Sequence, residues 1–188
     1  MDDGLLETLR DAQRFGFFGG RPVEQAAEHA LGFVRAVGPI EPGSRLVDLG
    51  SGGGLPGLVL AESYRDCTIT LIDRRQKRTD FLRRAALRLG FDHVEVIEGD
   101  VSELIAEVES GRLPFEVATA RGFGPPSRTL SMGCALIGPD GRVVISEPPS
   151  GDRWNAELMD ALGVERRAVG HVSVFRRRAA DPRAAPRD

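Results

Sequence analysis

The sequence predicts an α/β protein: a doubly wound sheet of seven strands, mostly parallel, with an antiparallel strand at its C-terminal end and helices ahead of it. Three observations predict this. Short apolar runs alternate with helical stretches from Arg45 onward; three successive runs end in or just before an acidic residue; and the last two runs follow one another with almost nothing between. Alternation at this spacing makes βαβ units, whose right-handed crossovers give a parallel sheet covered on both faces.

The first 40 residues read as helical. Leu5, Leu6 and Leu9 recur at helical spacing, glycines break the pattern between Gly16 and Gly20, and Val23, Ala26, Ala27, Ala30, Leu31 and Val34 form a second stripe ending near Gly38-Pro39. Strands are expected at Arg45–Leu49, Thr68–Ile72, Val94–Ile97, Glu116–Thr119 and Arg142–Ser146. Helices are expected at Leu58–Ser63, Lys77–Leu89, Val101–Glu109, Ser127–Leu136 and Ala156–Leu162. Val164–Val169 and Val172–Arg176 read as an antiparallel pair at the edge. The expected organisation is a helical segment (1–40) packed on the core, a main domain (41–178) and a disordered tail (179–188) rich in Ala, Arg, Asp and Pro.

Composition narrows the function. No apolar run approaches the roughly 20 residues of a membrane span, and the acidic start Met1-Asp2-Asp3 does not read as a secretory signal. Cys67 and Cys134 make no metal spacing and read as buried thiols of a reducing, cytoplasmic compartment. A net charge of −3 speaks against a protein that coats nucleic acid. The basic residues are nevertheless clustered, in Arg74-Arg75-Gln76-Lys77-Arg78 with Arg83, Arg84 and Arg88, and in Arg176-Arg177-Arg178. Such runs are either solvated helix faces or a rim that contacts phosphate.

The chemistry centres on Asp48-Leu49-Gly50-Ser51-Gly52-Gly53-Gly54, a strand ending in an acid and then a glycine loop. Gly52-Gly53-Gly54-Leu55-Pro56-Gly57 also satisfies the dinucleotide spacing G-x-G-x-x-G, with Asp73 downstream as a ribose acid. Charge separates the two readings. A dinucleotide would bring an anionic pyrophosphate beside Asp48, whereas S-adenosylmethionine brings a sulfonium and an ammonium, which a carboxylate attracts. Asp73 closes the second strand, where it can accept both ribose hydroxyls. Asp100 follows the third, placed for an adenine amino group. Three acids at the C-terminal ends of three successive strands lie where open α/β sheets bind ligands, although each alone could be a helix N-cap.

Asp48, Gly50, Gly52 and Gly54 match the glycine motif of class I S-adenosylmethionine-dependent methyltransferases, which the chain resembles and whose Rossmann-like, seven-stranded sheet ends in an antiparallel strand. More narrowly, Asp48 to Ala61, with Leu55-Pro56-Gly57 after the loop, is similar to the bacterial 16S rRNA small-subunit methyltransferase G family, also called GidB. Lys77-Arg78-Thr79-Asp80-Phe81-Leu82 resembles that family's basic–Thr–x–Phe–Leu helix start, and Ala120-Arg121-Gly122-Phe123 its Ser-Arg-Ala-Phe. The resemblance implies methyl transfer to N7 of a guanine in small-subunit rRNA, with ribosomal RNA or the small subunit as partner. It implies a cofactor site of Asp48, Gly50, Ser51, Gly52, Gly53, Gly54, Leu55 and Pro56, of Asp73 with Arg74, of Asp100 with Val101, and of Arg121. The chain departs from the family's pattern around His29, where the family has Arg-His-x-x-Asp-Ser, and at Ser146-Glu147-Pro148-Pro149, where the family commonly has Lys-Gly. A small-molecule acceptor and a non-catalytic cofactor-binding module are the alternatives.

On the acceptor side the sequence singles out Arg121, whose planar fork suits guanine O6 or a phosphate. Phe123 is either a base platform or core. Residues 146–149 are expected at the same mouth, Trp154 as helix packing, and His29, His93 and His171 in structural or surface roles. Guanine N7 offers a lone pair and no proton, so its methylation needs no general base.

Overall fold

The structure, a computed structural model, describes residues 1–148 and 153–178. Its elements run α1 (Asp3–Arg14), α2 (Val23–Val37), β1 (Arg45–Leu49), α3 (Gly57–Ser63), β2 (Thr68–Asp73), α4 (Gln76–Leu89), β3 (Val94–Glu98), α5 (Val101–Glu109), β4 (Phe115–Ala120), α6 (Pro126–Leu136), β5 (Ile137–Ser146), α7 (Ala156–Ala161), β6 (Val164–Val169) and β7 (Val172–Arg177). The strands form one sheet in the order β3-β2-β1-β4-β5-β7-β6. The first five pair in parallel, and β7 runs antiparallel to both β5 and β6. Strand order reverses between β1 and β4, so the crevice for a ligand opens above their C-terminal ends.

Alternation of side chains along the strands divides the core in two. Leu46, Leu71, Val117 and Val144 face one layer, where they meet Leu9 of α1, Phe33 of α2, Leu58 of α3 and Leu82 of α4. Val47, Ile72, Ala118 and Val143 face the other, against Leu104 of α5, Leu130 of α6 and Leu158 of α7. Helices α1 and α2 therefore belong to the same apolar layer as the βαβ helices. By this parity Asp48 and Asp73 lie on the α1–α4 side of the sheet, and that side builds the loop around them.

Most boundaries agree with the sequence reading to within a residue or two. The exception is β5, which begins at Ile137 rather than Arg142. Ile137 pairs with Phe115, and the register then shifts so that Val117 meets Arg142. Gly138-Pro139-Asp140-Gly141 fills the irregular stretch, and proline cannot donate to a ladder, so no two-residue period marks it. Cys67 and Cys134 are buried free thiols, and burial pushes the Cys134 thiol up to about 11. No helix among the described residues is long and apolar enough to cross a membrane. The tail expected to be disordered, 179–188, lies outside the described residues, as does Pro149.

Candidate functional site

The β1–α3 loop is fixed by its own backbone. The Ser51 hydroxyl donates to Asp48 O at 2.8 Å, Ser51 N donates to Ile72 O at 3.0 Å and Gly54 N to Ser51 O at 2.8 Å. Gly50 turns the chain with φ +67°, and a Cβ there would sit 2.7 Å from the Phe123 ring. Gly53 and Gly57 are required by neighbouring protein rather than by open space. The room that a side chain at Gly53 would need is taken by Phe18 Cδ1 at 2.7 Å and by Ala12 and Phe17. At Gly57 a Cβ would lie 2.4 Å from Leu71 Cδ2 and 2.8 Å from Asp48 Oδ2. Gly57→Ala therefore overpacks the floor of the loop and is expected to cost about 1–3 kcal/mol. A lowered denaturant midpoint at constant m-value is the readout, and an unchanged midpoint would show that α3 has room to move.

A cleft of about 340 Å³ opens beside this loop, within the range of small-molecule sites. Gly50, Asp73 and Arg74, Asp100 and Val101 line it; Phe123 and Arg128 border it from the β4–α6 side. Ser51, Gly52, Gly53, Gly54, Leu55 and Pro56 shape the loop from behind and do not line the cleft. Asp73 organises the junction. Its Oδ2 accepts Gly52 N at 3.0 Å and a 3.3 Å contact from Arg78, while Oδ1 accepts Arg75 N at 2.9 Å. Asp100 caps α5 through a capping box with Glu103 and also borders the cleft. Its backbone and side-chain hydrogen bonds from Ser102 hold its carboxyl below the usual range.

Asp48 lies under the other side of the loop. It is 1% exposed; Oδ1 accepts the Thr119 hydroxyl at 2.7 Å, and Oδ2 has no well-formed hydrogen bond among the described residues. Burial pushes its carboxyl up to about 7, against the pull of the Thr119 and Ser51 hydroxyls, of the nearby Gly57 amide and, last, of the Arg121 charge. Arg121 is half-buried and makes no ion pair or hydrogen bond among the described residues. Burial lowers its guanidinium and the Asp48 charge raises it. His29 completes this end. It stacks on His171 with ring centroids 3.7 Å apart, and burial, then the charges of His171, Arg121 and Arg21, bring it down to about 4. A neutral His29 therefore faces two cations at physiological pH.

The remaining sequence candidates resolve into structure. Glu147 is bound by Arg153 at 3.2 Å, by Arg166 at 3.3 Å and by the Trp154 indole, so its charge is compensated rather than offered at a mouth. Trp154 is buried edge-on against Phe175, with centroids 4.5 Å apart. Arg83 pairs with Asp80, and Arg88 ties α4 to α1 through Asp11 at 3.1 Å. Arg74, Arg75 and Lys77 are exposed, and their side chains make no ion pair or hydrogen bond among the described residues. The basic run thus divides into a structural rear and a free front at the cleft. Sequence reasoning did not single out Arg21 or Arg128. Both come to the site through long-range packing, and neither stands in a motif that would have marked it.

Comparison with known proteins gives the same fold and a definite family. MtNAS in complex with MTA and tNA superposes with a TM-score of 0.63 at 18% identity, covering 93% of this chain and 70% of that one. Coclaurine N-methyltransferase bound to N-methylheliamine and SAH superposes with a TM-score of 0.57 at 18% identity, covering 81% and 52%. These likenesses concern the fold alone. Ribosomal RNA small subunit methyltransferase G of Streptomyces coelicolor is 34% identical over 164 residues, 84% of this chain and 66% of that protein. The Sorangium cellulosum protein of the same name is 30% identical over 178 residues, 88% and 73%. The chain spans about two thirds of the length of the Streptomyces relative. The family model for GidB, rRNA small subunit methyltransferase G, matches residues 12–160, a stretch that holds the glycine loop, all three acids and Arg121, so the chain belongs to the rRNA small subunit methyltransferase G family.

Proposed function

We propose that the protein transfers a methyl group from S-adenosylmethionine to N7 of a guanine in small-subunit ribosomal RNA. One observation carries the methyl-donor part: Asp48, Asp73 and Asp100 stand at the C-terminal ends of three adjacent strands, and the most buried of them keeps a carboxylate oxygen without a well-formed hydrogen bond among the described residues. That orphan Oδ2 suits a ligand bearing an ammonium and a sulfonium, and an anionic pyrophosphate there would be repelled. The residues present fit the cofactor. Asp73 would take the ribose, Asp100 and Val101 the adenine, with Phe123 against its ring and Asp48 at the ammonium. When bound, the cofactor supplies an electrophilic methyl group on sulfur.

The rest is positioning. The loop bonds of Ser51 and Gly54 hold Asp48 in place before any ligand arrives, and Thr119 fixes the orientation of its carboxyl. Phe123 and the half-buried setting of Arg121 keep water from the reacting end. Arg121 presents its fork to the acceptor base or its phosphate. His29 is neutral and held against His171, and the proposed acceptor requires no base. Support for RNA comes from the unpaired arginines at the mouth (Arg74, Arg75 and Arg128) and from the names of the relatives. Glu147, where the chain departs from the family's Lys-Gly, is neutralised by Arg153 and Arg166. The experiment is transfer of labelled methyl from S-adenosylmethionine to undermethylated 30S subunits, followed by mapping of the modified nucleoside. Label in 16S rRNA at a guanine N7 is expected; label only in small molecules, or none, would refute the proposal.

A further inference from the structure

The connection between α1 and α2 is an ordered aromatic surface rather than a slack linker. Phe17 N donates to Ala12 O at 3.0 Å, and the Gln13 amide donates to Gly19 O at 2.9 Å and Arg21 O at 2.7 Å. Phe17 and Phe18 wedge against Gly53, and Phe17 O and the Arg78 guanidinium both approach Gly52, within 3.8 and 3.6 Å of where its Cβ would be. The segment therefore sits on the back of the cofactor loop, at the ligand end of the sheet. Its leading residue, Phe15, is 65% exposed. That ring does not hang free: it lies 5.7 Å from Phe17 and 6.1 Å, edge-on, from the buried Phe81 of α4, and Phe17 meets Phe81 at 5.4 Å.

Exposed cations flank this aromatic triad. Arg14 precedes Phe15, with its side chain 74% exposed and paired with Asp11 at 3.0 Å. Arg78, three residues before Phe81, shares its helix face and reaches the cleft; Arg74, Arg75 and Lys77 are exposed at the start of the same helix. An exposed aromatic ring held among exposed cations is the chemistry that holds single-stranded nucleic acid, where bases stack on aromatic rings and the backbone follows the positive charge. An apolar protein partner would not call for that charge.

We propose that Phe15, backed by Phe17 and Phe81 and flanked by Arg14 and by Lys77 of α4, is the stacking platform for an unpaired RNA base neighbouring the methylated nucleotide. This rests on the rRNA reading above and adds to it the surface that grips the strand. Because Phe15 lies outside the cleft, the platform acts on RNA and leaves cofactor binding alone.

The test measures binding of a short fluorescent single-stranded RNA, cofactor affinity by calorimetry, and KM for 30S subunits, for the parent, Phe15→Ala, Phe15→Leu and Phe15→Trp. Phe15→Ala is expected to weaken RNA binding and raise KM roughly tenfold, about 1.4 kcal/mol, with cofactor affinity unchanged. Phe15→Leu keeps the apolar contacts but lacks a π face and should be as weak as Phe15→Ala; Phe15→Trp should restore binding. Equal RNA affinity across the series overturns the platform, including the case where only association with the assembled 30S particle changes, which would mark a protein contact. Phe15→Leu behaving as the parent overturns it too, and so does a parallel loss of cofactor affinity. If the parent binds RNA through Phe15 yet methylates no 16S rRNA, the activity reading fails and the platform stands. If it methylates 16S rRNA with all variants equal, the reverse holds.

Discussion

Asp48→Asn is expected to weaken S-adenosylmethionine binding by at least about 30-fold at pH 8 and to make the ligand-free protein more stable. The two effects have one cause. Asp48 is a carboxyl held without water, with one oxygen lacking a well-formed hydrogen bond among the described residues. Truncating one partner of a buried charge pair costs about 2–5 kcal/mol, which sets the lower bound on affinity. In the ligand-free protein, by contrast, the ionised form has no cation to offset its desolvation, and asparagine keeps the acceptor for Thr119 without that cost.

The pH dependence follows from the same carboxyl, whose value of about 7 stands above its ordinary 3.8. A proton held more tightly by the folded than by the unfolded chain stabilises the fold at low pH. This contribution is complete below the ordinary value and is lost as pH rises through about 7. Binding a cation runs the other way, because it needs the ionised form. Cofactor affinity should fall by up to about tenfold per pH unit below 7, with one proton released per site, seen as a binding enthalpy that depends on the buffer. A pH-independent affinity in the parent, or an equal pH slope in Asp48→Asn, would remove Asp48 from the site.

The sequence disclosed the acids and the loop because each sits at a point where a period breaks: an apolar run ends, and an acid or glycine follows at once. Asp48, Asp73 and Asp100 need no long-range knowledge, since strand ends in a doubly wound sheet converge by topology alone. What stayed illegible depends on contacts across large separations. Gly53 looks like a residue cleared for a ligand, yet the space belongs to Phe17 and Phe18, which are brought there by the docking of α1 and α2. The Arg-rich stretch read as either a solvated helix face or a phosphate rim, whereas Arg78 is spent on Asp73 and Arg83 on Asp80. Glu147 read as an intrusive charge because its partners Arg153 and Arg166 lie 6 and 19 residues away, at separations that no periodicity links. The irregular opening of β5 was hidden for a simpler reason: Gly138-Pro139-Asp140 is turn chemistry inside a strand.

Arg121→Ala is expected to lower kcat/KM for rRNA by about 100-fold, the size of effect seen when one preorganised donor is removed from a reacting centre, while cofactor affinity at pH 8.5 changes little. The separation depends on pH, and the geometry says in which direction. The Arg121 charge helps to keep Asp48 ionised, so its loss should push the Asp48 carboxyl further up and move the midpoint of the cofactor-binding profile to higher pH. Below pH 7 the variant should therefore bind the cofactor more weakly than the parent. Above pH 8.5 both carboxylates are ionised and the affinities should converge, leaving only the defect in transfer. Arg121→Lys should restore the cofactor profile, which needs only a positive charge, but not the transfer rate, which needs a planar fork. An Arg121→Ala variant that loses cofactor affinity and transfer to the same extent at every pH would place Arg121 on the cofactor instead. One that transfers at the parent rate would leave the guanidinium, half-buried and without an acceptor, with no part in the reaction.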